Sequence, residues 1–122
     1  MTDVLVDTDV FIDHLRGARA LRTGVGAVSY SVVTRCELFA GRATDEDAVA
    51  LLLGAFREIP VERSIAEWAG RIRREFEVRT PDALIAASAL QHGLILMTRN
   101  RRDFAGIPGL EIVAPHRVRG SG

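Results

Sequence analysis

Lysine is absent from this chain: all 16 basic residues are arginine, balanced by 16 acidic residues for zero net charge. Cysteine occurs once, at Cys36, which excludes an internal disulfide. The histidines His14, His92 and His116 are scattered and show no zinc-ligand spacing with Cys36. No apolar run approaches the ~20 residues that span a membrane. The opening MTDVLVDTD is acidic and lacks the basic start of a secretory signal. No repeat or low-complexity segment breaks the pattern. These absences lead to the expectation of a cytoplasmic protein built as one domain, 1–116, followed by a short disordered tail, 117–122.

What is present suits that expectation. Of 122 residues, 48% are hydrophobic and 26% charged, enough apolar material for one solid core. The charge is unevenly spread. Residues 1–70 hold 7 Arg against 11 acids, and residues 71–122 hold 9 Arg against 5 acids. One reading is solvated helix faces; the sharper one is an acidic pocket beside basic ridges that hold phosphates.

Strand and helix signals alternate. Val4–Val6 is a short apolar run, and Asp9–Arg16 reads as a helix stopped at Gly17, with a loop at Arg19–Gly26. Ala27–Tyr30 reads as a second strand, after which Ser31 caps a helix to about Ala40, stopped at Gly41. Thr44-Asp45-Glu46-Asp47 opens the next helix with acids where its dipole favours them. The apolar run Val49–Phe56 is long enough to pack against more than the sheet. A third strand is expected at Ile59–Val61, and Ser64-Ile65-Ala66-Glu67 has the form of a capping box for a helix from Ile65 to Phe76, with Trp68 and Phe76 in the core. Thr80 caps a further helix, with Pro81 in its first turn and Gly93 as its stop. This helix is apolar almost all round from Ala83 to Leu90 and so deeply buried. Leu94–Met97 and Leu110–Val113 complete the strands. The alternation predicts an α/β fold with helices on both faces of a short central parallel sheet of four to five strands.

In such folds ligands bind beyond the carboxyl ends of the strands. The polar residues expected there are Asp7 and Asp9, then Glu37, then Asp82, then the segment Thr98-Arg99-Asn100-Arg101-Arg102-Asp103. Carboxylates brought together repel and resist ionising unless a cation joins them. Magnesium and manganese take oxygen ligands and fill the remaining positions with water. Such an ion can generate hydroxide and stabilise charge on a phosphate, the chemistry of a nuclease. Each acid also has an ordinary reading. Asp9 is read first as the N-cap of the first helix and Asp13 as a solvated neighbour of Arg16. Glu37 is a surface residue or a buried one among Val33, Phe39 and Ala40. Asp82 is a partner of its helix dipole or a functional acid, and Asp103 is a turn cap.

Four segments in order, VLVDTDVFID, SYSVVTRCELFAG, TPDALIAASAL and LILMTRNRRDFAGIPGLEIV, resemble the PIN-domain ribonucleases, specifically the VapC-type toxins of toxin–antitoxin pairs. The resemblance runs from about Val4 to Val113, with 42–78 matching only in length and helical character. It implies catalytic and metal-holding roles for Asp7, Glu37, Asp82 and Asp103, with Asp7 and Asp82 most direct and Mg²⁺ or Mn²⁺ as cofactor. It implies secondary contacts from Asp9, Thr98 and Asn100. The family usually has Asn at the position of Asp9, which can cap the helix but adds a charge near the metal. Arg99, Arg101 and Arg102 would hold the RNA backbone. Expected partners are a structured RNA such as tRNA or rRNA cut in single-stranded loops, a VapB-type antitoxin and a second copy of the chain, with Val49–Phe56 as a contact surface.

Two rival readings stand beside this one. Asp7-Thr8-Asp9-Val10-Phe11 meets four of the five positions of the haloacid-dehalogenase-like phosphatase motif and fails the fifth, and that family's later lysine has no counterpart here. A non-catalytic PIN-fold module that only binds RNA or protein would lack a core acid, whereas Asp7, Glu37 and Asp82 are all present.

Overall fold

In the computed structural model, described for residues 3–17 and 26–115, the chain forms a parallel sheet between two layers of helices. The elements are β1 (Val4–Val6), α1 (Thr8–Leu15), β2 (Val28–Ser31), α2 (Val32–Phe39), α3 (Glu46–Leu53), β3 (Arg57–Ile59), α4 (Arg63–Phe76), α5 (Thr80–His92), β4 (Ile95–Met97) and β5 (Ile112–Val113), with a 3-10 turn at Arg101–Asp103. The expected loop at 19–26, apart from Gly26, and the tail at 117–122 lie outside the described residues. The strand order β3-β2-β1-β4-β5 puts β1 at the centre, and every pairing is parallel. Connections leave β1 and β4 in opposite directions, so a crevice opens beyond their carboxyl ends.

Side chains of β1 alternate between the two faces of the sheet. Leu5 packs with Ile65, Ala69 and Ile72 of α4 and the alanines Ala83, Ala86, Ala87 and Ala89 of α5. Val4 and Val6 face the opposite layer, with Phe11 of α1, Leu38 of α2 and Val49 and Leu53 of α3. The small residues of α5 let it lie close under the sheet. Phe11 is wholly buried and meets Tyr30 of β2 edge-to-face, with ring centroids 5.8 Å apart. A buried phenylalanine contributes about 2–3 kcal/mol through its area alone, and here it also fixes how α1 is rotated. The rest of α1's turns are thereby aimed at the end of β4.

Several helix starts differ from the sequence expectation. Asp7, not Asp9, is the N-cap of α1, because the helix begins immediately at Thr8. Ser31 caps α2 as expected, its hydroxyl accepting from the Val33 N–H at 3.1 Å. The capping box at Ser64 does not form: α4 starts two residues earlier, at Arg63 after Glu62, without a side-chain cap. α5 likewise starts at Thr80, with Arg79 at the cap position. The third strand falls at Arg57–Ile59, two residues before its expected place, paired to β2 through Tyr30 and Glu58. Trp68 is partly exposed at 36% rather than in the core. The run Val49–Phe56 is split: Val49 and Leu53 turn inward while Leu51 is 81% exposed.

Candidate active site

Asp7 follows β1 directly and lies at the rim of the crevice. Its backbone N–H donates to the Met97 carbonyl at 2.9 Å, so the strand ladder holds its main chain. Its Oδ1 accepts from the Thr8 N–H at 2.8 Å, and its Oδ2 accepts from the Thr98 hydroxyl at 2.8 Å. The side chain is only 6% exposed. Burial, and then the charge of Asp9, push its pKa up to about 7; the hydrogen bonds from Thr98 and Thr8 pull the other way, and Asp82 adds a further upward push. A carboxylic acid poised near neutrality at a strand end is a mark of a functional site.

Asp9 is buried in the first turn of α1. Its Oδ2 accepts from the Asn100 side-chain amide at 3.0 Å and from the Arg99 backbone N–H at 3.2 Å, and lies 3.3 Å from the Thr98 hydroxyl. Thr98 has a single hydroxyl proton, and its shorter contact is to Asp7. Burial raises the Asp9 pKa, the Arg99 guanidinium and amide lower it, and Asp13 raises it again. The other oxygen, Oδ1, is buried and has no hydrogen-bond partner among the described residues. One turn on, Asp13 is buried and ion-paired to the Arg99 guanidinium at 3.1 Å, not solvated beside Arg16 as its sequence neighbours suggested. Arg99 also reaches Asp9, Nε to Oδ2 at 3.7 Å, and so spans two turns of α1.

Glu37 projects from α2. Its Oε1 accepts from the Thr8 hydroxyl at 2.7 Å, and that hydroxyl lies 2.9 Å from the Thr34 hydroxyl. Because Thr8 gives its proton to Glu37, Thr34 must donate to Thr8. Asp82 is half-buried in the first turn of α5. Burial raises its pKa, Arg79 lowers it, and Asp103, Glu37 and Asp9 each raise it. Asp103 is exposed on the 3-10 turn, whose approach is set by Asn100 N–H donating to the Thr98 hydroxyl at 3.0 Å. Asp7, Asp9, Glu37 and Asp103 therefore lie within electrostatic reach of Asp82. An open groove of about 450 Å³ leads away from Glu37 between α1, α2 and α3, lined by Ile12, Leu15, Arg16, Leu38, Arg42 and Val49.

A family model for the PIN domain matches residues 4–110. This chain belongs to the PIN-domain family. It is 38% identical to ribonuclease VapC10 of Mycobacterium tuberculosis, across 95% of this chain and 98% of that protein. It is 32% identical to ribonuclease VapC19 of the same organism, across 88% and 96%. A solved toxin–antitoxin complex from Klebsiella pneumoniae contains a chain that superposes with a TM-score of 0.80 at 35% identity, covering 94% of this chain and 99% of that one. The phosphatase reading is not favoured: the family is PIN, and Asp9 is engaged by the Arg99–Asn100 segment.

Whether this PIN domain suits a divalent cation can be judged from its donors. Among the described residues no three His, Cys, Asp or Glu side chains gather closely enough to hold a metal unaided. The donor set does fit a small hard cation that takes one or two carboxylates and keeps several waters. Asp7 and Asp9 share one hydroxyl, both resist ionising, and Asp9 keeps a buried oxygen without a partner. Positive charge placed there would relieve all three.

Sequence reasoning missed Thr8, Thr34 and Asp13. Thr34 lies three residues before Glu37, on one helix face with it, which was a usable signal. Asp13 gave none, because its partner Arg99 is 86 residues away. Of the three arginines expected to hold RNA, Arg99 is tied to Asp9 and Asp13, Arg101 donates to the Ile112 carbonyl at 3.3 Å, and Arg102 is exposed with no side-chain partner among the described residues.

Proposed function

We propose that this chain is a metal-dependent endoribonuclease, the toxin of a VapBC-type toxin–antitoxin pair, acting in the cytoplasm on single-stranded loops of a structured RNA, with tRNA or rRNA as the substrate class. The observation that carries the reading is Asp7, a buried carboxyl with a pKa raised to about 7 at the carboxyl end of the central strand, beside Asp9 and in the field of Asp82. Relatives named ribonucleases, at 38% and 32% identity over most of the chain, support the activity. The Klebsiella toxin–antitoxin complex supports the partner.

In this reading Asp7 and Asp82 would hold Mg²⁺ or Mn²⁺ most directly, with Glu37 and Asp103 acting through water. Bound there, the ion would supply Lewis-acid activation of a water and neutralise charge on the phosphodiester. The chain's own residues prepare the place. Thr98 donates to Asp7 Oδ2 and orients that carboxylate. Thr8 and Thr34 form a hydroxyl relay that fixes Glu37. Arg99 is an internal strut that holds the β4 end against α1, and Arg102, with Arg101 beside it, meets the RNA backbone. The apolar floor of the groove at Glu37 suits an antitoxin segment that would block access, and the exposed Leu51 suits contact with a second copy.

The test is incubation of purified protein with total RNA and Mn²⁺ or Mg²⁺, alongside Asp7→Asn, followed by sequencing of the new RNA ends. Discrete cleavage that stops in the mutant and in excess EDTA is expected. Cleavage that persists in either refutes the metal-site reading. Intact RNA with tight RNA binding would make the chain a binding module instead.

A further inference from the structure

We infer that Asp9 is a fifth carboxylate of the cation site, presenting its Oδ1 as an additional oxygen donor beside Asp7. The inference rests on the metal-dependent reading above and adds a residue to it.

Only one oxygen of Asp9 is used in holding the fold. Its Oδ2 alone accepts from the Asn100 amide at 3.0 Å and the Arg99 N–H at 3.2 Å, and lies nearest the Arg99 guanidinium at 3.7 Å. Those contacts tie the segment after β4 to α1, and one neutral oxygen would make them as well. They also fix the carboxyl plane, so Oδ1 cannot turn to share the same donors. Oδ1 is buried, and among the described residues no hydrogen bond reaches it. A buried acceptor without a partner loses its hydration with nothing in return, at a greater cost when charged. The second oxygen is therefore unexplained by the tie.

Its surroundings supply an explanation. The Thr98 hydroxyl contacts Asp7 Oδ2 at 2.8 Å and Asp9 Oδ2 at 3.3 Å, so the two carboxylates stand side by side at the ends of β1 and β4. Arg99 compensates Asp9 only from the Oδ2 side and divides its charge with Asp13. A hard cation held by Asp7 and reaching Oδ1 would meet an oxygen whose orientation is already set by the contacts of Oδ2 and which has no hydrogen-bond partner among the described residues. A carboxylate in that condition contributes a donor at little further cost in ordering, and added ligand charge strengthens binding of such ions.

The experiment uses the full chain without RNA, titrated with Mn²⁺ by calorimetry, with melting curves in EDTA. Asp9→Asn can keep the tie, since its amide oxygen can accept from Asn100 and Arg99 while an NH₂ replaces the unpartnered oxygen. Mn²⁺ affinity is expected to fall ten-fold or more, in the range seen when groups around a metal are altered, while the EDTA melting temperature does not drop. Should Asp9→Asn fail to fold, Asp9→Ser, which has no donor at that position, is expected to show the same loss. Undiminished Mn²⁺ affinity in a folded Asp9 variant overturns the inference and leaves Asp9 as a tie alone. Absence of Mn²⁺ binding by the wild-type chain is a separate result, which overturns the metal reading itself and the inference with it.

Discussion

Asp7→Asn is expected to stabilise the cation-free protein while abolishing RNA cleavage. In the fold the Asp7 pKa is raised from 3.8 to about 7. Between those pH values the folded chain holds a proton that the unfolded chain has released, so stability falls as pH rises through the interval. Below pH ~4 both states are protonated and the penalty vanishes; above ~7 it is complete. At about 1.4 kcal/mol per pH unit the full penalty is about 4 kcal/mol. Asparagine cannot ionise, and its oxygen can still accept from the Thr8 N–H. The Thr98 hydroxyl, released from Asp7, can turn its proton to Asp9 Oδ2 at 3.3 Å. Even half the penalty recovered, at about 3–5 °C per kcal/mol for a domain of this size, raises the melting temperature by roughly 5 °C or more. The assay is thermal melting in EDTA from pH 4 to 8, followed by the same series in saturating Mn²⁺. The gap should open from near zero at pH 4 and narrow in Mn²⁺, which stabilises only the chain that binds it. A mutant that melts below wild type at pH 8 in EDTA, or a gap that ignores pH, would show that ionising Asp7 does not destabilise the fold.

Thr98→Val removes a hydroxyl that donates to Asp7 and accepts from Asn100; a loss of about 1–3 kcal/mol is expected in denaturant titrations. Because that hydroxyl also holds the Asp7 pKa down, the remaining activity should need a higher pH. For the wild type, cleavage at subsaturating Mn²⁺ should rise through pH ~7 as Asp7 ionises and shift to lower pH as Mn²⁺ displaces the proton. A profile flat from pH 5.5 to 8.5 would count against Asp7 as a ligand. Glu77 ends α4 in a left-handed conformation, with φ of 51°, so Glu77→Gly should add about 0.5–1 kcal/mol to stability, measured by urea unfolding. No gain would mean the glutamate has a compensating role.

The order of strands and helices was legible because glycines and apolar runs bound most of them, as Gly93 does at the end of α5 with φ of 63°. The starts were less legible. In Asp7-Thr8-Asp9 two acids compete for one cap position, and the ladder bond from Asp7 N–H to Met97 decides between them, a contact 90 residues distant in sequence. β3 was misplaced because it is an edge strand with two exposed polar residues, and only Ile59 carries a core signal. The principal acids could be named from strand ends and resemblance. Their protonation, and the pairing of Asp13 with Arg99, depend on burial and on partners that no local window contains.

The bond from Thr98 to Asp7 joins residues 91 positions apart, and β4 and β5 enter the sheet last in chain order. A nascent chain carries Asp7 early but cannot brace it through Thr98 until residues 98–100 have left the ribosome. At 5–20 residues per second that delay is roughly 5–20 s. The order of synthesis thus leaves Asp7 without its Thr98 partner until the end of β4 has emerged, so the site proposed above would be completed only then.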